Sequence, residues 1–180
     1  MKTAWLLSTM VASFCFLTIF ATMGHAVAVS GQGTWESTLQ GRDLDGNVAT
    51  FEAYYDTVLD ITWLVNANIN GPMNWANANA WAAGLNINGI TGWRLPIVKP
   101  INGSTYDPNL SCNATTDKGF ALTTSDGSDG GWRDGTGNPV SEMGHMFYVI
   151  LGNRGLSTCG SLTDWGLTNT GPFTNIHPYG

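Results

Sequence analysis

Oxygen-bearing side chains cluster in one stretch rich in Asp and Gly, and they are candidates for cation binding. Asp126, Asp129 and Asp134 carry carboxylates, and Asn138 adds an amide oxygen. Hard cations such as Ca²⁺ prefer oxygen ligands of these types. The spacing does not match an EF-hand loop, and clusters of Asp and Gly are also typical of solvated turns. The sequence therefore leaves two interpretations open: a calcium site at Asp126, Asp129 and Asp134, or a plain loop.

The same stretch holds the side chains that we expect to contact a ligand. Trp132 follows a Gly- and Asp-rich run and has no apolar partner at strand or helix spacing. Burial in a core therefore does not account for this tryptophan. Arg133 and Asp134 follow it directly and add one charge of each sign. We take Trp132, Arg133 and Asp134 as the candidate ligand-binding residues.

The sequence holds none of the common catalytic motifs. It lacks a GxSxG elbow, a P-loop and a GxGxxG turn. His145 and His177 have neither HxH nor HExxH spacing, which disfavours zinc. Asp43, Asp45 and Asn47 alternate like EF-hand ligands, but the bidentate glutamate is missing from its expected place. We expect a protein that is not an enzyme and that needs no cofactor, with calcium as the one open case.

Four tryptophans within residues 55–96 allow two interpretations: Trp63, Trp75, Trp81 and Trp93. Their ring faces could form a platform for sugar rings. Strand and helix periodicity instead favours burial of these side chains in a core. Arg94 could likewise bind an anionic ligand, but we expect it to pair with Asp56 or Asp60 across the sheet.

The N-terminal segment is typical of a secretory signal. Lys2 precedes a mostly apolar run over residues 4–23, and Ala26 and Ala28 supply small residues at the −3 and −1 positions of a cut. We expect a signal peptide over residues 1–28, a single domain over 29–180, and a secreted or cell-envelope protein with no membrane span after cleavage. A cut after Ala26 and an uncleaved membrane anchor are the alternatives.

The net charge limits the classes of partner that we expect, and the cysteine content indicates a disulfide. The chain has seven basic against thirteen acidic residues and a net charge of −6, so nucleic acid is not an expected partner. Beyond the signal segment, Cys112 and Cys159 form an even pair. In an oxidising compartment such a pair favours a disulfide, and a redox or copper-binding pair lacks CxxC spacing or a neighbouring histidine.

Residues 29–65 predict a polar lead-in followed by a β-hairpin. Residues 29–41 are polar and predict an extended segment, with Trp35 as a contact to the core. Residues 43–47 carry the Asp, Gly and Asn typical of a turn. Residues 50–55 and 61–65 are rich in β-forming side chains, with a hairpin connection between them.

Two helices and a short strand are predicted further along. Asn74 is an expected N-cap, and the spacing of Trp75, Ala78, Ala82 and Leu85 predicts one buried stripe. Residues 93–95 predict a strand that ends at Pro96. A second helix is expected after an N-cap at Asn138, with Pro139 in its first turn, the apolar stripe Met143, Met146, Phe147 and Ile150, and a C-terminal cap at Gly152. Residues 97–138 and 155–180 predict loops, with Trp165 and Phe173 as anchors.

Several of these segments together resemble the Lcl C-terminal domain family of secreted bacterial proteins. The similar segments are DITWL at 60–64, MNWANANAWA at 73–82, GWRLP at 92–96, SEMGHMFY at 141–148 and LGN at 151–153. The resemblance spans about residues 42–175. It implies an α+β, C-type-lectin-like fold with two helices packed on a small antiparallel sheet and long irregular loops. The fold is also distantly similar to the formylglycine-generating enzymes, whose catalytic cysteines have no matching context here.

One departure from that family affects the expected packing. Family members usually continue with a Tyr-Trp-Ser-Gly-Thr segment and a terminal strand, and this chain reaches Tyr179 and Gly180 before either. The resemblance therefore implies a domain that is incomplete at its C-terminus. We expect an unpaired sheet edge and thin packing around Ile61, Trp63 and Trp93.

Two functions follow as hypotheses. The first is a non-enzymatic binding domain for glycans or another extracellular polymer, acting in adhesion. The alternative is a structural component of the envelope or matrix that has no small-ligand site.

Overall fold

The computed structural model describes residues 26–100, 102–109, 141–154 and 166–176. Within them the chain forms a three-stranded antiparallel sheet and a few short helices, an α+β architecture. The elements in chain order are α1 (Trp35–Thr38), β1 (Leu39–Arg42), β2 (Ala53–Asp56), β3 (Ile61–Leu64), α2 (Trp75–Gly84), α3 (Glu142–Gly144) and a π-helical turn (His145–Ile150).

The predicted hairpin is confirmed as β2 and β3. Tyr54 lies opposite Trp63 and Asp56 lies opposite Ile61 in the antiparallel register. The connection closes because the Asp56 carboxylate accepts hydrogen bonds from the backbone N–H groups of Val58 and Leu59, at 2.9 and 3.1 Å. A carboxylate that bonds the backbone two and three residues on is a local turn device.

The prediction of an extended lead-in over residues 29–41 is wrong for its middle part and right for the part that forms a strand. Residues 35–38 form α1, and Leu39–Arg42 form β1, which pairs with β2 and gives the sheet the order β1-β2-β3. Leu39 lies opposite Asp56 and is buried. Leu39–Arg42 form a strand because they pair with β2, which comes later in the chain. The polar composition of the segment does not indicate this pairing. Trp35 does pack against the core, as predicted.

Helix α2 begins as predicted and is buried much less than predicted. The Asn74 side chain accepts a hydrogen bond from the Asn77 N–H at 2.9 Å, which makes it the N-cap. The expected buried stripe is wrong, because Ala82 is the one buried residue of the helix and Trp75 is 75% exposed. The helix therefore has a weakly packed inner face.

The predicted strand over residues 93–95 is also wrong. No ladder forms there, and the pairings on either side are single bridges, Ile87 with Ile90 and Val98 with Ser141. Gly92 has a φ of +84°, a left-handed conformation that interrupts an extended strand. The segment is held instead by the side chain of Arg94, which reaches Glu142.

The second helix begins later than predicted and changes its pitch. Ser141 is the N-cap of α3, with its hydroxyl accepting from the Gly144 N–H at 2.8 Å, and the predicted N-cap Asn138 lies outside the described residues. The Leu151 N–H bonds the Met146 carbonyl, five residues earlier. A π-helical turn shifts the buried positions, and Met143 is therefore 48% exposed instead of joining Met146 in the core. Gly152 ends the turn with a φ of +62°, as predicted.

The core lies between the sheet, the π-helical turn and the residues around Phe173. Its buried apolar members are Leu39, Met146, Ile150, Leu151 and Phe173. Phe173 is therefore the anchor that the sequence predicted. Its neighbour Thr174 donates its N–H to the Val65 carbonyl at 2.8 Å, just beyond the end of β3.

Two buried asparagines join the tail to the rest of the core. Asn169 donates to the carbonyls of Gln32 and Leu151, and its side-chain oxygen accepts from the N–H groups of Val29 and Gly171. Asn153 bonds the backbone of the same segment, including the Asn169 N–H at 2.8 Å and the Asn169 carbonyl at 2.8 Å. The one side chain of Asn169 therefore hydrogen-bonds to all three segments, around residues 30, 151 and 170.

Candidate functional site

An open cavity of about 750 Å³ lies beside β3 and beneath α2. Volumes of a few hundred to a thousand Å³ are typical of small-molecule sites. Apolar side chains from β3, α2, residues 90–96 and residues 143–176 form most of its wall, namely Ile61, Leu64, Ala82, Leu85, Ile90, Leu95, Met143, Met146, Phe173 and Ile176. The cavity separates α2 from the sheet, which explains why so little of that helix is buried.

Three of the four tryptophans singled out in the sequence meet at this cavity. Trp63, Trp81 and Trp93 line it, whereas Trp75 does not and is largely exposed. The Trp63 indole N–H donates to Asp56 at 3.3 Å, and that of Trp93 donates to the Ile90 carbonyl at 3.1 Å. Because these N–H groups already have partners, the two side chains offer aromatic carbon surface to an occupant. The expected thin packing around Ile61, Trp63 and Trp93 coincides with this space.

The wall of the cavity includes an ion pair of Arg94, and the partner predicted from the sequence was wrong. Arg94 was expected to pair with Asp56 or Asp60, but its two terminal nitrogens bond the two carboxylate oxygens of Glu142, each at 2.7 Å. The Arg94 side chain is 45% exposed and that of Glu142 is 8% exposed. The same carboxylate accepts the Ile97 N–H at 2.7 Å. Glu142 therefore fixes residues 94–97 at the start of α3.

The environment keeps Glu142 ionised. Burial alone would raise the pKa of Glu142, but the hydrogen bonds from Arg94 and Ile97 and the charges of Arg94 and Lys99 outweigh it and hold the pKa below its ordinary value. The hydrogen bond to Glu142 correspondingly raises the pKa of Arg94. Both shifts favour the charged forms of the two partners.

Asp56 supports the cavity wall through its hydrogen bond with Trp63, a role that the sequence did not indicate. It is fully buried, and His145 Nε2 lies 3.9 Å from its carboxylate. The carboxylate closes the hairpin turn and also orients Trp63 through the indole N–H. In the sequence, its position at the start of the predicted hairpin turn was an indication of a structural role. Its burial against the π-helical turn depends on a contact between distant parts of the chain.

Arg42 adds a positive charge to the wall of the cavity. Its guanidinium lies 4.7 Å from the centre of the Tyr55 ring. A cation–π contact of this kind helps to hold the arginine side chain in place. The Tyr55 hydroxyl in turn donates to Asp60 at 2.8 Å, and this hydrogen bond raises the pKa of Tyr55.

A separate acidic group lies on the loop between β1 and β2. Asp43, Asp45 and Glu52 each place a carboxylate oxygen within 4.8 Å of the others. Glu52 supplies a third carboxylate, although it does not lie where an EF-hand loop has its glutamate. These oxygens accept backbone N–H bonds, such as that from Gly46 to Asp43 at 2.7 Å and that from Leu44 to Glu52 at 2.9 Å. The group could bind a cation, and it also closes its own loop.

The ligand and metal candidates predicted from the sequence lie outside the described residues. These are Trp132, Arg133 and Asp134, the calcium candidates Asp126 and Asp129, and the cysteines Cys112 and Cys159. The signal segment before residue 26, Trp165 and His177 lie outside as well. The assignments made for these residues therefore stay predictions.

Within the described ranges, no helix combines the length and the apolar character needed to cross a membrane. Comparisons of the chain with protein-family models, with curated proteins and with solved structures found no match.

Proposed function

We propose that the protein is a non-enzymatic binding domain, exported to the cell surface or medium, that holds a glycan in the cavity beside β3. One observation carries the proposal: three tryptophans surround an open cavity with a fixed ion pair in its wall. Aromatic faces stack on the carbon faces of sugar rings, and fixed polar groups bond the hydroxyls.

The wall offers the polar groups that such a ligand requires. Thr62, Asn66 and Thr91 line the cavity together with Arg42 and Glu142. Hydroxyl and amide side chains can donate and accept, as sugar hydroxyls do. A wall that is mainly apolar, with a few oriented polar groups, is typical of ligand sites in general.

The resemblance to the Lcl C-terminal domain family supports the same proposal. The segments that carry it include β3, part of α2, residues 92–96 and α3, and each of them contributes to the cavity wall. The secretory signal would bring the domain to extracellular glycans, with adhesion as the outcome.

A glycan array and a pulldown with sulfated polysaccharides test the proposal. The exported protein should bind a defined subset of glycans, and the free oligosaccharide should compete. An absence of binding in both experiments would contradict a carbohydrate ligand.

The open edge of β3 favours a second candidate function, a structural component of the envelope. Among the described residues, β3 pairs with β2 on one side, and on the other side the backbone pairing consists of Asn66 with Thr174 beyond its end. An unpaired edge is a template for association with another chain. Sedimentation would then show self-association that free sugars do not reverse, and release by a simple sugar would contradict this candidate.

A further inference from the structure

The segment that follows the signal sequence is built into the fold from Val27 onward. Val27 forms a parallel bridge with Asn169, and its carbonyl accepts the Thr170 N–H at 3.2 Å. The Val29 N–H donates to the Asn169 side chain at 2.8 Å. The partners are interior residues, since Asn169 is fully buried and Thr170 is 8% exposed.

The two possible cuts differ in whether these contacts survive. A cut before Val29 removes the acceptor of the Thr170 N–H, and a buried N–H without an acceptor destabilises the fold. It also turns the Val29 amide into a charged ammonium, which can still donate to Asn169 but places a charge next to that fully buried amide. A cut before Val27 keeps both hydrogen bonds. The new ammonium then belongs to a residue that is 62% exposed, where water solvates the charge.

We infer that a signal peptidase hydrolyses the Ala26–Val27 peptide bond, so that the mature chain starts at Val27. Water supplies the hydroxyl of the new Ala26 carboxylate and the proton of the new Val27 amine. Gly24 and Ala26 provide the small residues at the −3 and −1 positions. The inference rests on the proposed export of the protein and adds the residue with which the exported chain begins.

The assignment changes how the N-terminal segment is understood. Asn169 receives the Val29 N–H and donates to the Gln32 carbonyl at 3.1 Å. The new N-terminus is therefore anchored on the same buried asparagine that holds the end of the π-helical turn. Residues 27–29 belong to the folded domain and not to a disposable spacer.

N-terminal sequencing and intact mass of the full chain, expressed from Met1 in a bacterial host and recovered from the exported fraction, test the inference. We expect the sequence Val27-Ala28-Val29-Ser30. A product that begins at Val29 overturns the inference and leaves the proposed export standing. A product that retains Met1 overturns the cleavage inference, and its confinement to the cytoplasmic fraction would overturn the proposed export as well. None of these results depends on glycan binding.

Two matched substitutions sharpen the test. Ala28→Leu places a large residue at the −1 position of a cut before Val29, so the product should still begin at Val27. Gly24→Asp places a charged residue at the −3 position of a cut before Val27 and leaves the −3 and −1 positions of a cut before Val29 unchanged, so the product that begins at Val27 should disappear. The reverse pattern, with Ala28→Leu blocking processing and Gly24→Asp leaving it intact, would contradict the assignment.

Discussion

The guanidinium of Arg94 and the carboxylate of Glu142 form a two-pronged ion pair with both contacts at 2.7 Å. The partners are 48 positions apart in the chain. Through this pair the segment that bears Trp93 is joined to the start of α3. The shape of the cavity wall therefore depends on one contact between distant residues.

Replacement of Arg94 by Met should destabilise the fold. The substitution leaves the Glu142 carboxylate buried with the Ile97 N–H but without its cation. Breaking a buried pair costs about 3–5 kcal/mol, and we expect about 2 kcal/mol here because Arg94 is partly solvated. Denaturant unfolding measures the change. Lys99→Met is the matched control, since Lys99 has no hydrogen bond to Glu142, and an equal loss in both variants would contradict the role of the pair.

The same pair predicts a loss of stability in acid. The folded-state pKa of Glu142 is lowered, so its contribution is present above the unfolded pKa of about 4.3 and is lost as the pH falls through the folded pKa. Stability curves from pH 6 downward should therefore be flatter for Glu142→Gln than for the unchanged protein below about pH 4.3. Parallel curves for the two proteins would show that this carboxylate is not held as the structure indicates.

Asn169 should be among the least replaceable residues of the fold. Asn169→Ala removes four hydrogen bonds from a fully buried position and leaves the Leu151 and Gln32 carbonyls without these donors. We expect a loss of about 3 kcal/mol or more. Asn79→Ala, on the exposed side of α2, should change stability by less than about 0.5 kcal/mol. Comparable effects in the two variants, measured by thermal unfolding, would contradict the buried junction.

Two glycines predict opposite responses to the same substitution. Gly152 has a φ of +62°, and a Cβ there would lie 2.5 Å from the backbone nitrogen of Gly33. Gly152→Ala should therefore destabilise by more than about 1 kcal/mol. Gly84 lies at the end of α2 with nothing within 4 Å of an added Cβ, so Gly84→Ala should be neutral or stabilise by up to about 1 kcal/mol. Calorimetric unfolding of both variants decides the point.

The features that the sequence predicts correctly are those that short stretches determine. Asn74 caps α2 through its own side chain, and Gly152 ends the π-helical turn because it tolerates a left-handed conformation. The hairpin of β2 and β3 follows from two β-rich runs around a turn that Asp56 closes. Each of these depends on chemistry within a few residues.

The features that the sequence misses depend on partners far away in the chain. Leu39 enters a strand because it pairs opposite Asp56, and Arg94 turns to Glu142 instead of the hairpin. Trp75 matches helical periodicity yet is exposed, because the cavity leaves α2 weakly packed. The residue type alone made the three cavity tryptophans candidates for stacking on sugar rings. That they line one cavity became evident only from the fold.

Calorimetric titration of matched tryptophan variants tests most directly whether the cavity wall binds a glycan. The oligosaccharide that binds most tightly on the array is titrated into the unchanged protein, Trp81→Ala and Trp75→Ala. Trp81 lines the cavity and Trp75 is exposed outside it. We predict that Trp81→Ala weakens binding at least about tenfold, about 1.4 kcal/mol, whereas Trp75→Ala leaves it unchanged. Equal affinities for the unchanged protein and Trp81→Ala, or a loss confined to Trp75→Ala, would contradict the claim.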